Sequence, residues 1–125
     1  MTVAVEVENR SGVAIDEDDA ADLVRRVLNG EGIDGGDVGV HFVAPDEIRA
    51  LKAEHLGVDE ATDVLAFPID AHDRVPEGVP RQLGDVVVCP QTMPGDWRGP
   101  LVHGLLHLVG HDHGEAMAER ERTYR

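Results

Sequence analysis

The sequence predicts an α+β fold, a small sheet with helices packed mainly on its faces. Three observations carry this. Short segments alternate between apolar and polar residues with the period of a half-buried strand. Longer segments repeat apolar residues with the period of a helix. The two kinds follow one another without a strict strand–helix–strand rhythm. At 125 residues the chain suits one core, and neither a linker nor a repeat divides it, so residues 1–125 are expected to form a single domain.

The elements follow in order. Val3, Val5 and Val7 alternate with Ala4, Glu6 and Glu8, a strand with one buried face. Asp16 to Asn29 reads as a helix: Asp16 can cap it, acidic residues fill its first turn, and Ala20, Leu23, Val24, Val27 and Leu28 form one stripe. Gly30 stops it, and 31–36 is a glycine-rich turn. Val38, Val40 and Phe42 mark a second strand. Pro45 and Asp46 open a helix with Ile48, Leu51 and His55 on one side, ended by Gly57. Asp63 to Phe67 reads as a third strand, stopped by Pro68. Residues 69–82 carry Pro76, Gly78 and Pro80 and read as a loop. Val86 to Cys89 is a continuous apolar run, the pattern of a fully buried strand. After a loop over 90–99, Pro100 suits the first turn of a helix over 100–109. Beyond the Gly110–Gly114 turn, Glu115 to Tyr124 forms a short charged helix.

Composition narrows the function. Aromatics are only 3%, so Val, Leu, Ile and Ala must build the core. No apolar stretch approaches the roughly 20 residues of a membrane span. The first residues, Met1 to Glu6, lack the basic and apolar regions of a secretion signal. Cys89 is the single cysteine, which excludes an internal disulfide, and no disulfide-linked partner is expected. Together these favour a cytoplasmic protein away from membranes. The net charge is −14 and Lys52 is the only lysine. Such a chain repels phosphate at long range, which works against any nuclease reading.

The chemistry concentrates in residues 103–113: His-Gly-Leu-Leu-His-Leu-Val-Gly-His-Asp-His. On a helix, His103 and His107 share one face a turn apart. Gly110 can take the positive φ that ends a helix and turns the chain, so that His113 can complete a three-nitrogen metal site. Three protein ligands with one open position are the arrangement of catalytic zinc. Neutral imidazole suits zinc best among common cellular metals, while nickel, copper and iron are also compatible by ligand type. The spacing is shared with metzincin proteases, which need a glutamate directly after the first histidine. Here that position is Gly104, so a peptidase would lack its general base. Gly104 is expected instead to let another segment or a substrate approach the metal closely. What is left is Lewis-acid chemistry on bound water and on a phosphoryl or carbonyl oxygen. Asp112 either orients a ligating imidazole or caps the following helix. His111 is a possible fourth ligand, but its closeness to His113 makes joint ligation awkward, and it is left out.

These residues resemble the YbeY family of bacterial endoribonucleases, the ribosomal RNA maturation factors. The family's signature is close to His-Gly-x-Leu-His-Leu-x-Gly-Tyr-Asp-His, with His111 here in the tyrosine place. Two upstream blocks agree in order. Residues Thr62 to Pro68 are similar to the family's Thr-Asp-Val-Leu-Ser-Phe-Pro, and Leu83 to Cys89 to its Leu-Gly-Asp-Ile-x-Ile-Cys. The resemblance implies one zinc ion (Zn2+) per chain, held by His103, His107 and His113. It implies a metal-dependent, single-strand-selective ribonuclease that processes small-subunit ribosomal RNA and serves ribosome quality control. RNA, the ribosome and its assembly factors are then the partners. It also implies a mixed four-stranded sheet with the histidine helix beside it. The chain departs from the pattern at Leu56, where many members carry an arginine thought to contact RNA phosphate, and at Ala66 in place of serine. The stretch between Cys89 and His103 is about ten residues shorter than the family pattern. Metal binding should survive these changes; RNA affinity and rate are the properties they touch.

Other residues carry weaker expectations. Asp63 and Asp85 can touch substrate or a second metal, although turn formation before a buried strand is the role expected of each. Arg49, Arg74, Arg81 and Arg98 are the positive charges available to phosphate. Cys89 is expected to be a buried, inert thiol. No catalytic general base is assigned. The leading expectation is a zinc-dependent endoribonuclease. One alternative is a non-catalytic ribosome-assembly factor whose zinc is structural, and another, resting on spacing alone, is a metal-dependent hydrolase of other substrates.

Overall fold

The structure, a computed structural model, describes residues 3–33, 35–69, 81–92, 96–111 and 115–124. Strand β1 (Val3–Asn9) keeps the expected alternation, with its odd-numbered side chains turned inward. Helix α1 (Glu17–Gly30) is capped by Asp16, whose side chain accepts from the Asp19 amide at 3.0 Å. Its stripe Ala20, Leu23, Val24, Val27 and Leu28 is buried as the periodicity required. Strand β2 (Gly36–Phe42) buries Val38, Val40 and Phe42. Helix α2 (Pro45–Leu56) ends at Gly57 and inserts Ile48. Strand β3 spans Val64–Pro68 and strand β4 spans Gln82–Val88. A short 3₁₀ turn at Pro90–Thr92 follows, then helix α3 (Arg98–Leu108) and helix α4 (Glu115–Tyr124).

The four strands form one mixed sheet in the order β1-β2-β4-β3. Strands β1 and β2 run parallel, as do β2 and β4, while β3 runs antiparallel to β4. On one face, α1 and α3 cover Val3, Val38, Val40, Phe42, Val86 and Val88. Met117 and Tyr124 of α4 join this core. On the other face, α2 covers only one end of the sheet, where Val43, Ile48, Leu65, Val87 and Cys89 form a second, smaller cluster. Cys89 is thus a buried thiol, as expected.

Several boundaries differ from the sequence reading: α1 includes Gly30, and Pro68 pairs within β3 instead of stopping it. Helix α3 starts at Arg98, before Pro100. Strand β4 starts at Gln82, expected in the loop, and takes in Leu83, Gly84 and Asp85 ahead of the expected Val86. Asp85 therefore forms no turn: it pairs with Gly39 and Phe67. The reason lies at Gly84, where φ is +138° and an added Cβ would collide with the Phe67 carbonyl. The pairing with β2 also shifts register there, between Asp37 and Val38. An irregular strand start with glycine at its bend shows no clean alternation, so it resembles a loop in sequence.

Candidate metal centre

Helix α3 is buried on nearly all sides: Pro100, Leu101, Val102, Gly104, Leu105, Leu106 and Leu108 are all inside. Beyond Gly99, the residues of this helix that are half-exposed are His103 and His107. One stripe of an otherwise core helix therefore reaches the surface, and imidazoles occupy it. The two rings lie 4.7 Å apart between centroids and meet edge to face at 78°. Gly110, at φ +105°, ends the helix, and its amide donates to the His107 carbonyl at 3.1 Å. His113, the third expected ligand, lies outside the described residues, as does Asp112. Among the described residues no three His, Cys, Asp or Glu side chains gather as a metal set.

The histidine pair nonetheless has the chemistry a metal needs. Nδ1 of His103 is bonded to the Glu121 carboxylate on α4. With a proton on Nδ1, the ring carries its lone pair on Nε2, the nitrogen that would ligate. A carboxylate behind a ligating histidine fixes the ring and makes it more basic. Sequence reasoning did not find Glu121. Its only signal was a carboxylate on the helix after the motif, at a spacing that no local period explains.

Gly104, expected to open a close approach to the metal, faces the sheet instead. A Cβ there would lie 2.6 Å from Val64 Cγ2 and 2.7 Å from Val86 Cγ1. The segment that approaches closely is the sheet itself, which lets α3 press onto β3 and β4. His111 is not turned to the histidine pair. Its Nε2 meets Glu31 Oε1 at 2.5 Å.

The remaining candidates fall elsewhere. Asp85 is on the sheet face opposite α3, with Oδ1 3.0 Å from His41 Nε2. It borders a cavity of about 470 Å³ lined by Glu6, Asp37 and Gln82 among others, and the carboxylates of Glu6, Asp37 and Asp85 would repel phosphate. Asp63 accepts the Cys89 amide at its backbone carbonyl, 2.8 Å, which ties the start of β3 to the end of β4. Arg49 is locked to Asp59 at 2.6 Å, and the Asp59 carboxyl is held below its usual range by this hydrogen bond. Arg98 bridges Asp19 and Asp96. Leu56, where the sequence resemblance expects an arginine in many members, is 59% exposed. Arg74 lies outside the described residues.

A family model described as Endoribonuclease YbeY matches residues 5–124. The chain belongs to the YbeY family. Among proteins of that name, one from Tropheryma whipplei (strain Twist) is 43% identical over 101 residues, covering 70% of this chain. The match spans only 57% of that relative's length. One from Chloroflexus aurantiacus is 35% identical over 140 residues, covering 98% of this chain and 91% of the relative. That alignment is longer than this 125-residue chain, so it opens gaps here. The solution structure of TM1509 from Thermotoga maritima superposes with a TM-score of 0.60 at 26% identity, over 96% of this chain and 85% of the other. The α+β fold with its mixed four-stranded sheet is thus a YbeY fold.

Proposed function

We propose that this chain is a zinc-dependent endoribonuclease that cuts single-stranded ribosomal RNA during small-subunit maturation and ribosome quality control in the cytoplasm. The observation that carries the reading is the half-exposed His103–His107 pair on a buried helix, with Glu121 behind His103. His103, His107 and His113 would hold the ion. When bound, zinc supplies Lewis acidity toward a phosphoryl oxygen and toward water. The chain's own part is to orient the imidazoles: α3 is fixed by its buried leucines, and Glu121 holds the His103 ring in one tautomer. Leu105 and Leu106, fully buried, anchor the helix and would keep the site's surroundings dry. No general base is assigned.

Zinc per chain, measured on the purified protein, tests the reading together with cleavage of single-stranded ribosomal RNA by wild type, His103→Ala and His107→Ala. We expect one zinc in the wild type and loss of both zinc and cleavage in each variant. Equal cleavage by all three would remove the mechanism.

The paired arginines and exposed Leu56 favour a second reading, a ribosome-assembly factor whose zinc only stabilises the fold. Chelation separates the two. A structural ion takes folded stability with it, whereas a catalytic one takes activity first. Co-sedimentation with ribosomes without RNA cleavage would support this alternative.

A further inference from the structure

The turn after α1 places one carboxylate where three side chains from the C-terminal region meet. The Glu31 side chain is 6% exposed. Its Oε1 pairs with His111 Nε2 at 2.5 Å. Its Oε2 accepts from Arg120 Nε at 3.0 Å, from Arg120 Nη2, and from the Tyr124 hydroxyl at 2.6 Å. Arg120 Nη2 also donates to the Gly30 carbonyl at 3.3 Å. Gly30 is needed beside it, because a side chain there would collide with the Tyr124 ring. Burial alone would raise the Glu31 carboxyl, but the bonds from Arg120, Tyr124 and His111 outweigh it and hold it at about 2.

Arg120 and Tyr124 stand four apart on α4, so they share one face of the helix. Two anchors one turn apart fix both the rotation and the axial position of a short helix. Glu121 is the residue directly after Arg120, and its carboxylate meets His103 Nδ1. The 3.6-residue period turns adjacent side chains about 100° apart, so a helix pinned at Arg120 also points Glu121 in one direction. Any slip of α4 that frees Arg120 from Glu31 moves Glu121 off His103. The chain of contacts runs without a break from the end of α1 to the candidate metal-binding face.

We propose that Glu31 is a positioning residue: by holding α4 through Arg120 and Tyr124 it keeps Glu121 on His103 and so raises the affinity of the histidines for their metal. This rests on the metal-site reading given under Proposed function.

The test is zinc affinity of the full chain, by competition with a chromogenic chelator, for wild type, Glu31→Gln, Glu121→Gln and the double variant. Thermal melting of each metal-free form identifies those folded at the assay temperature. Removing a carboxylate directly behind a ligating histidine typically weakens metal binding 10- to 100-fold. Glu31 stands one contact further out, so Glu31→Gln should weaken zinc by roughly three- to tenfold. The double variant should bind no more weakly than Glu121→Gln alone, because the path is already cut. Tyr124→Phe removes one donor and keeps the ring in the core, and should shift affinity the same way by less. It replaces Glu31→Gln as the test if that variant is unfolded, and an unchanged affinity in it then overturns the proposal. A folded Glu31→Gln with wild-type affinity also overturns it. So does an equal loss with and without Glu121, which would mean a general effect on the fold. A wild type that binds no zinc overturns the metal-site reading, and this inference with it, before any variant is measured.

Discussion

Acidification should undo the Glu31 clamp over a defined pH range. The carboxyl is held at about 2 in the fold against an ordinary 4.5, burial being outweighed by the bonds from Arg120, Tyr124 and His111. A folded value below the unfolded one means that the ionised group favours the fold. That contribution is complete above about pH 5, declines as the pH falls through 4.5, and is gone below about pH 2. At 1.36 kcal/mol per unit the full effect is about 3 kcal/mol, a large share of the roughly 5–15 kcal/mol that holds a domain folded. By pH 3 about 2 kcal/mol of it should be lost. The assay is urea unfolding of wild type and Glu31→Gln at pH 6 and pH 3, on either side of the isoelectric point near 4.6. The other carboxylates are common to both chains, so their titration cancels in the difference. Wild type should exceed Glu31→Gln at pH 6, and the gap should narrow by about 2 kcal/mol at pH 3. A gap that stays the same at both pH values would refute the reasoning.

Three other outcomes are expected. Gly104→Ala gains about 1 kcal/mol of helix propensity but forces a methyl against Val64 and Val86, at a cost of roughly 1–3 kcal/mol. It should therefore lower the melting temperature, and an equal or higher value would show that α3 can retreat from the sheet. Leu56→Arg restores the family's cation at an exposed position. It should tighten binding to single-stranded RNA and steepen the log–log salt dependence by about 0.7, and an unchanged slope would place residue 56 away from the phosphates. Glu121→Gln should weaken zinc roughly 10- to 100-fold while leaving the fold intact, as read by chelator competition and circular dichroism. Wild-type affinity in that variant would separate Glu121 from the metal.

The local elements were legible because the signals that make them are local. Alternation in β1 and β2, the Asp16 cap and the α1 stripe each act within a few residues, and each stands where the sequence placed it. Strand β4 was read too short because its first residues are set by a bend at Gly84 and by pairing with two neighbours, neither of which leaves a periodic trace. The same limit explains Asp85, which looks like a turn residue in sequence but lies in a strand, on the sheet face away from His103 and His107.

The sequence by itself determined the histidine pair, since spacing of four on a helix brings His103 and His107 together whatever else the chain does. It also determined the family blocks and the acidic charge. Only the tertiary structure decided what stands behind the pair. Glu121 reaches His103 across 18 positions, and Glu31 gathers His111, Arg120 and Tyr124 across 80 to 93. Contacts of that separation depend on how helices pack on a shared core. The sequence likewise offered Arg49 and Arg98 as charges for phosphate, and the fold spends both on carboxylates of the chain itself. Residue type sets what a side chain can bind, but packing sets which partner arrives first.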